Sequence, residues 1–329
     1  MPRHLFYVLG AALFALHGSA LAQSTSKGPA QAWPAKPLRA TVAFTAGSAT
    51  DIIARTLGER LWAQLGQPVV IENRPGASGT IGAAIVARAE PDGYTMLVNS
   101  SSHTVAPSTF ASLPYDTARD LAGITPLANL PSVLVIAPSR GIRSVRDLVT
   151  AARARPGAMS FASGGAGSAA QLNAERFRMS AGFDAVHVPY KGAPEALADI
   201  IGGRVDFYFC PIVPALPLVK DGKLLAIAVG SAKRATALPD VPTTIEAGFP
   251  NSEYNFWVGL FAPGKTPRPL VKRLYQETQK ALSSPEMSQR MRTLGAEPMP
   301  MTPEQFDAYV RDEIALNAKL VKAAGIRPQ

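Results

Sequence analysis

Four short stretches of this chain are built from residues with almost no side chain: FTAGSATD at 44–51, NRPGASG at 73–79, NSSSH at 99–103 and SGGAGS at 163–168. Each closes an apolar, strand-like run and opens a helical run or a chain reversal. Such corners leave peptide N–H groups uncovered, and the first N–H groups of a helix have no partner inside it. Those groups and the helix dipole together bind anions. The candidate ligand contacts are therefore Phe44, Ala46, Gly47 and Ser48 in the first corner and Ala77, Ser78 and Gly79 in the second. The third corner offers Ser101, Ser102 and His103, and the fourth Ser163, Gly164, Gly165 and Ser168. Asp51 would repel an anion if exposed, so it reads as a capping acid that forms a box with Ser48. Hydrogen bonds to a charged group contribute roughly 1.5–3 kcal/mol each. Four or five would cover the roughly 8 kcal/mol of micromolar binding.

Catalytic constellations are sparse. Residues 259–266, GLFAPGKT, satisfy the P-loop spacing, but Pro263 removes an N–H from a loop whose task is to present N–H groups. Residues 165–170 form a loose G-x-G-x-x-A, yet Asp184 precedes the next strand instead of ending it, which is the wrong place for a dinucleotide acid. No G-x-S-x-G is present. The four histidines are His4, His17, His103 and His187, and none sits at a zinc-ligand spacing. Neither a cofactor nor a metal is expected.

The elements that must position the corners alternate along the chain. Strand-like runs at 38–44, 68–72 and 94–99 are separated by helical runs at 50–65 and 79–89. The pattern restarts with strands at 133–137, 159–162, 185–188, 205–209 and 224–229 around helices at 145–154, 168–180 and 194–201. Helices at 268–282, 285–294 and 303–324 close the chain. The alternation predicts an α/β protein with mainly parallel sheets. Residues 1–22 have a basic start, an apolar run and Ala20-Leu21-Ala22, the pattern of a secretory signal peptide cleaved near Ala22/Gln23. About 307 residues then remain (329 minus 22), enough for two lobes, here 33–132 plus 253–329 and 133–252, with a ligand cleft between them. The net charge of +9 is spread without a dense basic block, which argues against nucleic acid. One cysteine, Cys210, permits no internal disulfide.

Three longer segments carry a resemblance: ENRPGASGTIGAAIVARAEPDGYTMLV at 72–98, VPYKGAPEALADIIGGRVDFYF at 188–209 and FWVGLFAPGKTP at 256–267. In this order they resemble the Bug-type periplasmic solute receptors of tripartite tricarboxylate transporters. The resemblance implies a two-lobed, type II periplasmic binding protein fold, each lobe a mainly parallel sheet flanked by helices. It also implies lobe closure over a small carboxylate, delivery to membrane transporter subunits, no catalysis and a monomer in the periplasm. It adds Tyr190 and Cys210 at strand ends facing the cleft. Tyr190 offers its hydroxyl to a carboxylate or packs as a lid. Cys210 is a small cleft wall or a core thiol. The chain departs from the family pattern in the first corner, where Ala43, Thr45 and Ala46 stand at proline positions and Ser48 at a glycine. It departs again at Gln171, often His, and at Cys210, often Asp. Loss of that acid favours a ligand without an amino group. The rival reading is an exported α/β hydrolase of a carboxylate ester, which requires Ser78, Ser102 or Ser163 beside His103.

Overall fold

A computed structural model describes residues 33–329; the proposed signal peptide lies outside the described residues. Two five-stranded sheets organise the chain. The first has the order β2 (Val69–Asn73), β1 (Leu38–Val42), β3 (Thr95–Ser100), β10 (Trp257–Pro263), β4 (Leu121–Asn129). The second has the order β7 (Ala185–Pro189), β6 (Met159–Ser163), β8 (Phe207–Pro211), β5 (Ser132–Ile136), β9 (Leu225–Val229). In the first, β10 runs antiparallel to β3 and β4; in the second, β5 runs antiparallel to β8 and β9. The remaining pairs are parallel, as crossover helices require.

Helix α1 (Ala49–Leu65) joins β1 to β2, and α2 (Thr80–Ala87) joins β2 to β3. Helix α3 (Ser102–Thr109) follows β3. In the second lobe α4 (Val145–Ala154), α5 (Ala169–Ala181), α6 (Ala193–Ile201) and α7 (Ile212–Lys220) separate the strands. Helices α8 (Arg268–Leu282), α9 (Pro285–Thr293) and α10 (Pro303–Ala323) return to the first lobe, with α10 packed on α3 and β4. No described helix is long and apolar enough to cross a membrane.

Four elements were not legible in the sequence, and proline is a large part of the reason. Strand β4 contains Pro126, tolerated where the pairing with β10 shifts register. Helix α3 contains Pro107, and α7 contains Pro214 and Pro217. Strand β10 reads as a loop because Gly259 and Pro263 interrupt it, yet its seven residues are all buried.

The chain passes between the sheets twice. Strand β4 runs into β5 through Leu130 and Pro131, and residues 252–256 bring it back to β10. Leu130 N–H donates to Phe256 O and ties the two passages together, while Tyr254 N–H donates to Gly230 O at the end of β9. Paired, adjacent crossings define a hinge and leave the strand ends of each lobe facing the other.

Candidate anion-binding site

The C-terminal ends of β1, β2, β3, β6, β7 and β8 converge on the cleft. An inner chamber lies there. Its first lobe side is Ser48, Ala49 and Thr50 at the start of α1, with Ser102 of α3 and Phe44. Its second lobe side is Ser168 and Ala170 at the start of α5, Gly192 and Ala193 at the start of α6, and Tyr208 with Pro211 on β8. Gly164 and the hinge residue Phe256 complete it. Three helix N-termini from both lobes thus meet around one space, and among the described residues no charged side chain lines it.

Of the glycines expected from sequence, Gly164 lines this chamber, while most of the other corner donors are already taken. Gly47 N–H donates to the Asp51 carboxylate at 2.9 Å, and Gly79 N–H to Gly76 O. Gly165 N–H donates to Ser163 Oγ, Gly167 N–H to Gln171 Oε1 and Ser101 N–H to Trp257 O. These donors are taken within the protein, and Gly47, Gly79, Gly165 and Gly167 supply shape instead. At the starts of these helices the N–H groups of Ala49, Thr50, Ala170 and Ala193, one or two residues past each cap, have no protein acceptor, and neither do those of Gly164 and Gly192 on the same chamber. The signal that could have found them is the doublet of small residues after a capping serine, Ser48-Ala49-Thr50 and Ser168-Ala169-Ala170.

Ser102 adds a side-chain donor. Its Oγ accepts from Ser100 Oγ and from Ala169 N–H across the cleft, each at 3.0 Å. Both acceptor positions are therefore filled, and its own proton finds no protein acceptor.

Asp51 shapes the first corner as expected, but not through a reciprocal capping box. Ser48 Oγ accepts from Asp51 N–H, while Ser48 N–H turns back to Thr45 O. The carboxylate therefore takes Gly47 N–H, Arg55 and Asn73 Nδ2. Burial pushes this carboxyl up, but Arg55, Gly47 and Asn73 outweigh it and hold it below the usual carboxylate range. Asp51→Ala orphans these donors and is expected to cost about 2–3 kcal/mol of stability, read as a lowered denaturant midpoint.

The remaining sequence candidates fall into three groups. Ser78 and Ala77 line an outer chamber with Gly76, Gly79, Gly165, Tyr190 and Lys191. Ser78 Oγ donates to Ala166 O at 2.5 Å, a bond from one lobe to the other. Tyr190 stands at the same mouth, but its hydroxyl donates to Asp199 at 2.5 Å, so that proton is not free for a ligand. Ala46 is exposed at the edge of the first corner and lines neither chamber.

Three candidates, His103, Cys210 and Ser163, line neither chamber. His103 is fully buried with its ring 4.5 Å from that of Phe261, and neither ring nitrogen meets hydrogen-bond geometry. It is a core residue because α3 turns it inward, away from the chamber that Ser102 lines. Cys210 is likewise fully buried, beside Tyr208, and it is Tyr208 that lines the chamber. Ser163 lines neither chamber; its Oγ donates to Gly165 O at 2.9 Å and lies 2.6 Å from His187 Nε2. That serine–histidine pair was not foreseen. It is not the arrangement a hydrolase requires, since Ser163 is fully buried. The serine–His103 pairing that the rival hydrolase reading requires does not form.

The profile of the family described as tripartite tricarboxylate transporter family receptor matches residues 53–326. The chain belongs to that family. It is 35% identical over 300 residues to protein BugT of Bordetella pertussis, covering 91% of this chain and 92% of that one. The structure of Rpa4515 from R. palustris with adipate superposes with a TM-score of 0.87 at 34% identity, over 90% of this chain and all of the other. The structure of MatC from Rhodopseudomonas palustris with bound malate gives 0.83 at 31% identity, over 88% and 100%. The family and the fold together make this receptor a two-lobed periplasmic binding protein.

Proposed function

We propose that this receptor captures a small carboxylate in the inner chamber by lobe closure and delivers it to membrane transporter subunits of the tripartite tricarboxylate type. The observation that carries the reading is the convergence of α1, α5 and α6 on one chamber with unpaired N–H groups at Ala49, Thr50, Ala170 and Ala193. Their donors need no arginine partner to hold an anion. Relatives whose structures hold adipate and malate support the ligand class. No acid lines the inner chamber, which favours a carboxylate without an amino group there.

The same reading takes 33–132 plus 253–329 as the first lobe and 133–252 as the second, close to the two crossings at the hinge. It takes the protein as a monomer without catalytic activity, exported after cleavage near Ala22/Gln23. Adipate, malate and plain aromatic acids at 100 times Kd are expected to raise the unfolding free energy by about 2.7 kcal/mol for whichever binds, seen as a melting shift with no turnover. Ser102→Ala removes a donor to the anion and an acceptor across the cleft, and is expected to weaken that ligand about tenfold. A screen without any carboxylate shift, or tight binding of aspartate and of no plain acid, would overturn the reading.

A further inference from the structure

The inner and outer chambers share two residues, Phe44 and Gly164, and so share a wall. The Phe44 ring is held at that wall by a glycine from each lobe. A Cβ at Gly79 would lie 3.4 Å from Phe44 Cε2, and one at Gly164 would lie 3.5 Å from Phe44 Cε1. Asn73 Nδ2 fixes the backbone by donating to Phe44 O at 3.0 Å. The chambers differ in chemistry as well. The inner one has no charged lining residue, while the outer one carries Lys191 and Glu195. The outer one is also the roomier of the two.

Building on the carboxylate reading, the geometry points to Phe44 as the residue that sets ligand length. The helix N-termini hold one carboxylate on the inner side. The ring then bars a straight path to the outer chamber, so a short acid closes the cleft fully. A long acid must displace the ring from between Gly79 and Gly164, or hold the lobes apart. Phe44 therefore acts on the part of the ligand beyond its first carboxylate and leaves the anion donors untouched.

Calorimetry with acetate, malonate, succinate, glutarate and adipate tests this on the mature protein. For the wild type, affinity is expected to fall at least tenfold between the best short acid and adipate. Phe44→Ala joins the chambers and is expected to flatten or reverse that order. Gly164→Ala narrows the passage from the other lobe, at a backbone position outside the left-handed region, and is expected to steepen it. Gly164→Ala keeps the test decisive should Phe44→Ala unfold, because the ring also packs in the core with Ala43, Ala83 and Leu97. An unchanged length order in the variants that fold overturns the role of Phe44 and leaves carboxylate capture standing. Absence of heat with every acid for the wild type overturns both.

Discussion

Gly192→Ala is expected to fold normally and to lose carboxylate affinity about a hundredfold. Gly192 has φ of −177°, extended backbone that any residue adopts, so an alanine introduces no strain within its own lobe. A Cβ there would sit 1.9 Å from Thr45 Oγ1 and 3.2 Å from Thr45 Cβ, both in the first lobe. Its contact inside the second lobe, Glu195 Oε2 at 3.5 Å, is ordinary. The clash therefore exists only when the lobes are closed. Overpacking of a tight contact costs about 1–3 kcal/mol, and the apparent affinity falls with the fraction of protein that can still close. The melting temperature without ligand should stay at the wild-type value. Thr45→Ala in the same chain removes Oγ1 and should recover most of the affinity. Gly165 and Gly167 also abut first-lobe atoms, Ser78 Oγ and Thr109 Oγ1, but both have positive φ and would confound closure with local strain. Wild-type affinity in Gly192→Ala would mean that the ligand is held without this degree of closure.

What the sequence disclosed and what it hid follow one physical line. Strands such as β1 and β6 and helices such as α1 and α5 announce themselves by apolar runs and serine caps, since those signals are local. The cleft was legible for the same reason, because small residues gather where strands end and helices begin. Which N–H group remains free was not legible. It depends on whether Asp51, Ser163 or Gln171 has already claimed its neighbour, and those claims are made by side-chain rotamers. The direction of His103 and Cys210 was hidden too. Every residue of β8 is buried, so alternation cannot separate a cleft wall from a core residue there. Tyr208, two residues before Cys210, lines the chamber while the thiol beside it does not. Lobe-to-lobe bonds such as Ser78 to Ala166 join residues 88 apart, and no local pattern foretells them.

His103, lost as a ligand contact, is expected to govern acid stability. Burial against Phe261 pushes its pKa down to about 3, and the Thr117 backbone offsets only part of that. In the unfolded chain the ring titrates near the ordinary 6.5. Between these values the unfolded state binds more protons, so stability present at neutral pH is lost as pH falls. By pH 4.5 the loss is expected to reach about 2–3 kcal/mol from this residue alone. His187, whose pKa burial lowers to about 4, acts in the same direction. Glu313 and Asp307 act in the opposite direction, because burial raises their carboxyls and the folded state then binds protons first. A difference between two proteins removes these shared contributions. Denaturant unfolding of the wild type and His103→Leu at pH 7.0, 5.5 and 4.5 measures it. Leucine keeps an apolar contact with Phe261 and cannot titrate, so the variant should lose about 2–3 kcal/mol less than the wild type over that range. Parallel loss in the two proteins would show that the ring reaches solvent or an acceptor before it takes its proton.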